Sequence, residues 1–123
     1  MDNKRILLVE DDPLMQKLYV DLLKSEYSNV ESAGDGKTAY EKIVAGGWDL
    51  ILLDIVLPDL TGVDIVKKIK NKPPSRPNKK IVFLSNLDTG QDINEIKKLG
   101  FEHLTKSDLN PDQFTQKVKS LLA

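Results

Sequence analysis

Short apolar runs alternate with amphipathic segments along the whole chain. The strand-like runs are residues 5–10, 29–33, 49–54, 80–85 and 101–104. The first, third and fourth are almost continuously apolar, a pattern typical of parallel strands that are covered on both faces. The alternation predicts an α/β fold with five βα units, in which helices cover both faces of a parallel five-stranded sheet through right-handed crossovers.

The segments between the runs carry helix signals. Asp12 before Pro13 predicts the N-cap of a first helix. Its apolar stripe is expected to comprise Leu14, Met15, Leu18, Leu22 and Leu23. The expected caps of the later helices are Asp35, Thr61 with Asp64, Thr89 with Asp92, and Asn110 with Gln113. The proline-rich stretch 71–80 predicts a loop between the third helix and the fourth strand.

Composition limits the possible partners and compartments. The 123 residues suit one domain, residues 1–123, and 40% hydrophobic content suffices for a core. Eighteen basic and nineteen acidic residues give no bulk attraction to nucleic acid or to an anionic membrane. Cysteine is absent, which excludes disulfides and thiolate metal sites. No apolar run has the length of a membrane span, and the N-terminus has no signal-peptide pattern, so we expect a cytoplasmic protein.

Polar residues follow the predicted strands at one end. Strand 1 runs into Glu10, Asp11 and Asp12, and strand 3 ends in Asp54. Strand 4 ends in Ser85, and Lys106 follows strand 5; these four groups of residues belong to four different strands. In open α/β sheets, ligands bind beyond the carboxyl ends of the strands, where the strand order reverses. With the order 2-1-3-4-5 this point lies between strands 1 and 3, so the polar residues predict one site.

The chemistry of such a site follows from the residue types. Clustered carboxylates raise one another's pKa or require a cation, and oxygen ligands without His or Cys favour Mg²⁺. Together with this metal, the Lys106 ammonium and the Ser85 hydroxyl would hold the charge of a transferred phosphoryl group. Asp54 stands alone at the end of the central strand and is the candidate nucleophile, because carboxylates accept phosphoryl groups.

In these motifs the chain resembles the receiver domains of two-component response regulators, the single-domain chemotaxis regulators among them. The matching stretches are "LLVEDDP", "DLILLDIVLPDLTGVDIVKKIK", "IVFLSN" and "LTKS", in this order and at these distances. The resemblance implies a flavodoxin-like (βα)5 three-layer sandwich. It also implies that the domain takes a phosphoryl group from a sensor histidine kinase or a histidine phosphotransfer protein, with Mg²⁺ as cofactor. Such a domain is not an enzyme, because it catalyses only its own phosphorylation and dephosphorylation.

The resemblance also assigns roles to individual residues. Asp54 is implied as the phospho-acceptor, assisted by Lys106 and Ser85. Asp11 would bind Mg²⁺ directly, Glu10 would act through water, and Asp54 and the backbone carbonyl of Val56 would be further ligands. The nearby carboxylate of Asp12 is a further candidate ligand, although a cap is the favoured interpretation. Pro58 and Gly62 match the P-x-x-x-G of the loop that follows the acceptor.

Three departures from the family pattern concern the switch and the stability of the phosphoryl group. His103 replaces the usual aromatic switch residue, which works together with Ser85. Ser107 follows Lys106, where the family commonly has a cis proline; a cis bond before serine costs ~3 kcal/mol. Val56 and Leu87 are apolar at positions that affect the attack of water, which predicts a fairly long-lived phosphoryl group.

The output expected from this resemblance is binding of a downstream protein. Phosphorylation would shift the surface formed by helix 4, strand 5 and helix 5, and the domain would act as a monomer or as a phosphorylation-dependent dimer. An alternative is a pseudo-receiver that docks constitutively without phosphorylation. A haloacid-dehalogenase-type phosphatase is disfavoured because Val56 stands where its second acid is needed. A flavodoxin is disfavoured because an acidic loop follows strand 1.

Overall fold

A computed structural model describes residues 2–85 and 90–123, and for residues 90–92 it describes the backbone alone. The five strands are β1 (Asp2–Val9), β2 (Tyr27–Ala33), β3 (Leu50–Asp54), β4 (Ile81–Ser85) and β5 (Glu102–Thr105). The helices are α1 (Pro13–Lys24), α2 (Gly36–Ala45), α3 (Gly62–Asn71), α4 (Gly90–Lys98) and α5 (Pro111–Leu122), with a 3-10 turn at Lys106–Asp108.

All strands are parallel and lie in the order β2-β1-β3-β4-β5. This confirms the predicted α/β architecture and its strand order. Each residue of β3 is buried, as expected for a central strand covered on both faces. β1 begins at Asp2, three residues before the predicted start, because Asp2 pairs with Tyr27 at the start of β2.

The sheet separates two apolar clusters. On one face Ile6, Leu8, Leu52 and Leu84 pack beneath α1 and α5. On the other face Leu7, Val9, Leu53 and Phe83 pack beneath α2, α3 and α4. The alternation of neighbouring residues between the two clusters is the period of two that a strand imposes. The three-layer sandwich expected from the resemblance is therefore confirmed.

Most helix starts agree with their local signals. Asp12 accepts hydrogen bonds from the N–H groups of the first turn of α1, and Asp35 accepts one from Thr38 in α2. Complete capping boxes, Thr61 with Asp64 and Asn110 with Gln113, open α3 and α5. The predicted cap of α4 by Thr89 and Asp92 lies outside the described residues.

The predicted inner face of α1 is partly wrong. Leu14 is 81% exposed and Leu18 is 43% exposed, whereas Tyr19 and Leu23 are buried. The ring of Tyr19 lies 4.6 Å from that of Phe114 in α5, centroid to centroid. Compared with the predicted orientation, α1 is rotated about its axis so that the large Tyr19 ring packs against α5. This rotation turns Leu14 and Leu18 towards solvent.

Within the part of the chain that the structure describes, no helix combines the length and the apolar character that crossing a membrane requires.

Candidate phosphorylation and metal site

Strand register places the predicted site residues side by side. Val9 pairs with Leu53, so Glu10, the next residue after β1, stands beside Asp54 at the end of β3. Asp54 in turn pairs with Leu84, and Ser85 pairs with Thr105, the residue before Lys106. The carboxyl ends of the four strands β1, β3, β4 and β5 therefore meet at one edge of the sheet.

Lys106 links two of the carboxylates. Its ammonium donates hydrogen bonds to Oε2 of Glu10 and to Oδ2 of Asp54, the latter at 3.0 Å. The pairing is enclosed, because the side chains of Lys106, Glu10 and Asp54 are 8%, 2% and 9% exposed. Such buried, charge-assisted contacts hold side chains more firmly than surface ion pairs do.

Backbone groups orient the remaining carboxylate oxygens. The N–H of Asp12 donates to Oε1 of Glu10 at 3.2 Å, and the N–H of Val56 donates to Oδ1 of Asp54 at 3.2 Å. Behind them, the Gln16 side-chain amide donates to the backbone carbonyl of Glu10 at 2.9 Å. Each buried carboxylate therefore has both oxygens engaged and faces the edge of the sheet in a defined orientation.

The site has more negative than positive charge. Glu10, Asp11 and Asp54 have carboxylate oxygens within 4.8 Å of one another, and the Lys106 ammonium pairs with two of them, Glu10 and Asp54. Burial raises the pKa of Glu10 above its ordinary value, although the hydrogen bond from Lys106 opposes this. Burial also disfavours charge on Lys106, but its hydrogen bonds to Glu10 and Asp54 outweigh burial and raise the pKa of the ammonium.

This donor set fits Mg²⁺. It consists of three carboxylates, two of them buried and Asp11 exposed to solvent. Mg²⁺ prefers oxygen ligands and retains several waters, so it needs only a few protein ligands. A divalent ion would also offset the two negative charges that Lys106 leaves uncompensated. Asp12 is not among these three residues within the described part of the chain, and its side chain caps α1.

The two residues predicted for the switch lie on the neighbouring strands β4 and β5. Ser85 is buried at the end of β4, next to the strand that carries Asp54. His103 is half-buried on β5 and pairs with Phe83, on the strand face opposite to the buried Leu104. Leu87, which the sequence associates with the lifetime of the phosphoryl group, lies outside the described residues. The peptide bond between Lys106 and Ser107 is trans, since the described residues contain no cis bond.

Gly62 is necessary for the close packing of the loop that follows β3. A Cβ at this position would lie 2.5 Å from the backbone oxygen of Asp54 and 3.0 Å from the Phe83 ring. The Gly62 N–H also donates to the carbonyl of Ile55 at 2.8 Å, which closes the base of the loop. A side chain at position 62 would therefore collide with the backbone of Asp54.

Two features of the site escape sequence reasoning. Large apolar side chains exposed in the described part of the chain are Leu14, Leu18 and Val56, which lie on α1 and on the loop directly after Asp54. Asp59, in the loop between β3 and α3, accepts hydrogen bonds from the start of α2. Neither feature has a local signal, because each depends on how separate elements pack.

Comparison with known proteins identifies the family. The response regulator receiver domain model matches residues 6–119. The chain belongs to this family and is a receiver domain of two-component signalling, in which signals pass by phosphorylation. Members of the family bind Mg²⁺ at acidic residues, and they interact with histidine kinases or phosphotransfer proteins and with downstream targets.

Similar proteins come from several organisms. The chain is 30% identical over 118 residues to a gliding motility regulatory protein of Myxococcus xanthus, a match that covers 95% of this chain and 15% of that protein. It is 28% identical over 117 residues to the transcriptional regulatory protein CrdR of Helicobacter pylori, covering 94% of this chain and 54% of that protein. The chain thus spans about half of the length of CrdR and a much smaller part of the gliding motility regulatory protein.

Solved structures share the fold. A CheY-like receiver domain protein from Methanospirillum hungatei superposes with a TM-score of 0.83 at 26% identity, covering 98% of this chain and 94% of that one. The response regulator TrrA of Thermotoga maritima, solved with Mg²⁺ and BeF, superposes with a TM-score of 0.76 at 31% identity. That match covers 97% of this chain and 99% of TrrA.

Proposed function

We propose that residues 1–123 form one receiver unit in which Asp54 accepts a phosphoryl group from a phosphohistidine. The observation that carries this proposal is the enclosed triad in which Lys106 bonds both Asp54 and Glu10, beside the exposed Asp11. A carboxylate oxygen of Asp54 forms the new P–O bond while the P–N bond to the donor histidine breaks. The Lys106 ammonium, already at Oδ2 of Asp54, is close enough to pair with an oxygen of the transferred group.

The same edge of the sheet would hold Mg²⁺ through Asp11, Asp54 and the Val56 carbonyl, with Glu10 acting through water. When bound, the ion supplies positive charge against the phosphoryl oxygens. The chain's own part is to present its carboxylates in fixed orientations, which the N–H groups of Asp12 and Val56 and the Lys106 ammonium already do.

The phosphoryl group would act on the neighbouring strands. The Ser85 hydroxyl stands one strand away and offers a hydrogen bond to a phosphoryl oxygen. Movement of Ser85 would affect its β5 neighbours and with them His103, which changes the surface formed by α4, β5 and α5. Downstream proteins would then select the phosphorylated conformation, in the cytoplasm, from a domain that is monomeric or dimerises on phosphorylation.

We further propose where the phosphodonor docks. Asp54 lies at the carboxyl edge of the sheet, where a donor histidine would approach it. Leu14 and Leu18 are exposed on α1, which begins three residues after Glu10, and Val56 is exposed two residues after Asp54. Exposed apolar side chains on elements that start at a reactive group suit an apolar patch on a partner. We expect Leu14→Ser to slow phosphotransfer from a histidine phosphotransfer protein by about tenfold, since one anchor is worth ~1–2 kcal/mol. Phosphorylation by acetyl phosphate, which needs no docking, should be unchanged.

The central experiment is incubation with acetyl phosphate and Mg²⁺, followed by intact mass measurement. The protein should gain one phosphoryl group, and Asp54→Ala should gain none. Omission of Mg²⁺ should abolish the gain. A mass gain that persists in Asp54→Ala would disprove the assignment of the acceptor, and no gain in either protein would favour the constitutively docking pseudo-receiver.

A further inference from the structure

The loop between Asp54 and α3 is joined to the start of α2 through Asp59. Oδ1 of Asp59 accepts a hydrogen bond from the N–H of Gly36 at 2.6 Å, and Oδ2 accepts one from Lys37 at 3.0 Å. Oδ1 also accepts from the N–H of Leu60 within the loop, at 3.0 Å. One carboxylate therefore holds a loop residue and two helix residues that are more than twenty positions away in the chain.

The carboxylate suits this position electrostatically. Gly36 and Lys37 open α2, where N–H groups lack partners within the helix and the helix dipole is positive. Hydrogen bonds from the backbone, that of Gly36 foremost, lower the pKa of Asp59 below its ordinary value. The N-cap Asp35 satisfies the next N–H group, that of Thr38 at 2.7 Å. Two carboxylates thus share the helix start, but only Asp59 belongs to the loop that follows the acceptor.

Gly36 makes the close approach of the loop possible. A Cβ at this position would lie 2.7 Å from Cβ of Leu60 and 2.8 Å from Oδ1 of Asp59. Such contacts are closer than packed atoms tolerate, so any side chain at position 36 would push the loop away from α2. The contact between the loop and α2 therefore depends on two independent features: the missing side chain of Gly36 and the carboxylate of Asp59.

Asp59 is three residues after Val56, and the segment between them is anchored at its other end. The Val56 N–H bonds Oδ1 of Asp54, and the bond from Gly62 to the carbonyl of Ile55 closes the loop base. The Val56 backbone thus lies between these bonds on one side and the Asp59 contact with α2 on the other. Its orientation is therefore set from both sides, although its side chain is 62% exposed.

We propose that Asp59 is a positioning residue that holds the Val56 carbonyl ready to bind the metal by tying its loop to α2. This inference rests on the proposed function, in which that carbonyl is a ligand of Mg²⁺. Asp59 itself touches neither the ion nor the phosphoryl group. It lowers the cost of metal binding, because the ligand is ordered before the ion arrives.

The test compares three variants by amide NMR. Asp59→Ala removes the tether. Asp35→Ala is the matched control, since it removes a carboxylate from the same helix start without touching the loop. Gly36→Ala keeps the Asp59 carboxylate but displaces it, and alanine at a helical position otherwise favours the helix.

We expect Asp59→Ala to raise the dissociation constant for Mg²⁺ about tenfold, the usual effect of removing a partner that orients a metal ligand. Gly36→Ala should raise it in the same direction, and Asp35→Ala should leave it within about twofold of the unmodified protein. The Val56 carbonyl shares a planar peptide unit with the N–H of Leu57. In metal-free protein, the order parameter of the Leu57 amide should therefore fall in Asp59→Ala from about 0.85 towards 0.6. This second measurement is independent of metal and of phosphate.

Two results would overturn the proposal: an unchanged dissociation constant in Asp59→Ala, or an equal rise in Asp35→Ala. If Asp59→Ala loses its native amide dispersion, Gly36→Ala decides the matter by the same two measurements. Failure of the proposed function would look different. The unmodified protein would then gain no phosphoryl group from acetyl phosphate, while the order parameter of the Leu57 amide still depended on Asp59.

Discussion

Lys106 should be as important for stability as for chemistry, and Lys106→Met tests this. Methionine keeps most of the apolar stem and removes the ammonium. Glu10 and Asp54 would then face each other as buried carboxylates without a cation. We expect the free energy of unfolding at pH 7.5 to fall by ~3 kcal/mol, the lower end of the cost of breaking a buried ion pair. The lower end applies because backbone N–H groups of Asp12 and Val56 still bond these carboxylates.

The loss should depend on pH in a defined direction. Burial already raises the pKa of Glu10 in the presence of Lys106, and loss of the Lys106 hydrogen bond removes an opposing effect. A carboxyl with a raised pKa in the folded state contributes stability that is present at low pH and lost as the pH rises through that pKa. The difference between Lys106→Met and the unmodified protein should therefore narrow as the pH is lowered towards the ordinary pKa of glutamate.

Mg²⁺ should reverse part of the loss. An ion at one hundred times its dissociation constant stabilises the folded protein by ~2.7 kcal/mol. The gain should be larger in Lys106→Met, because the variant has three uncompensated carboxylates instead of two. Urea unfolding with and without Mg²⁺ measures both effects. The control is Lys17→Met, whose ion pair with Asp21 is exposed and should contribute less than ~0.5 kcal/mol.

The reasoning would be refuted if Lys106→Met unfolded within ~1 kcal/mol of the unmodified protein at pH 7.5 without Mg²⁺. It would also be refuted by a large loss that neither Mg²⁺ nor lower pH reduced, since such a loss would come from packing and not from charge.

Two further predictions follow from the same edge of the sheet. Glu10→Gln should stabilise the metal-free protein increasingly from pH 4 to pH 8, because the raised pKa of Glu10 makes its charged form unfavourable in the fold. Urea midpoints of the variant and the unmodified protein across this range would show the trend. A difference between the two midpoints that stayed constant or shrank with pH would contradict the prediction. Gly62→Ala should cost ~2–3 kcal/mol, because its Cβ would meet the immobile backbone of Asp54 at 2.5 Å. The control is Gly100→Ala, where φ is +86° and a Cβ would have no neighbour within 4 Å, so only ~1 kcal/mol of backbone strain is expected. Equal losses of stability in Gly62→Ala and Gly100→Ala, measured by thermal unfolding, would contradict the packing argument.

Local signals in the sequence determined the helix starts and the members of the site. Asp12, Asp35, Thr61 and Asn110 cap helices where the sequence predicts, because a cap bonds N–H groups only two or three residues away. The site residues could be predicted because parallel strands bring their carboxyl ends to one edge whatever the details of packing.

Only the tertiary structure decided how separate elements meet. The rotation of α1 exposes Leu14 and buries Tyr19 because the Tyr19 ring packs against Phe114, which lies far away in the chain. Asp59 bonds α2 because Gly36 leaves room for the loop. Such contacts depend on distances between elements, and no spacing of residues along a single element encodes them. The sequence therefore determined which groups form the site, and packing decided how firmly each is held.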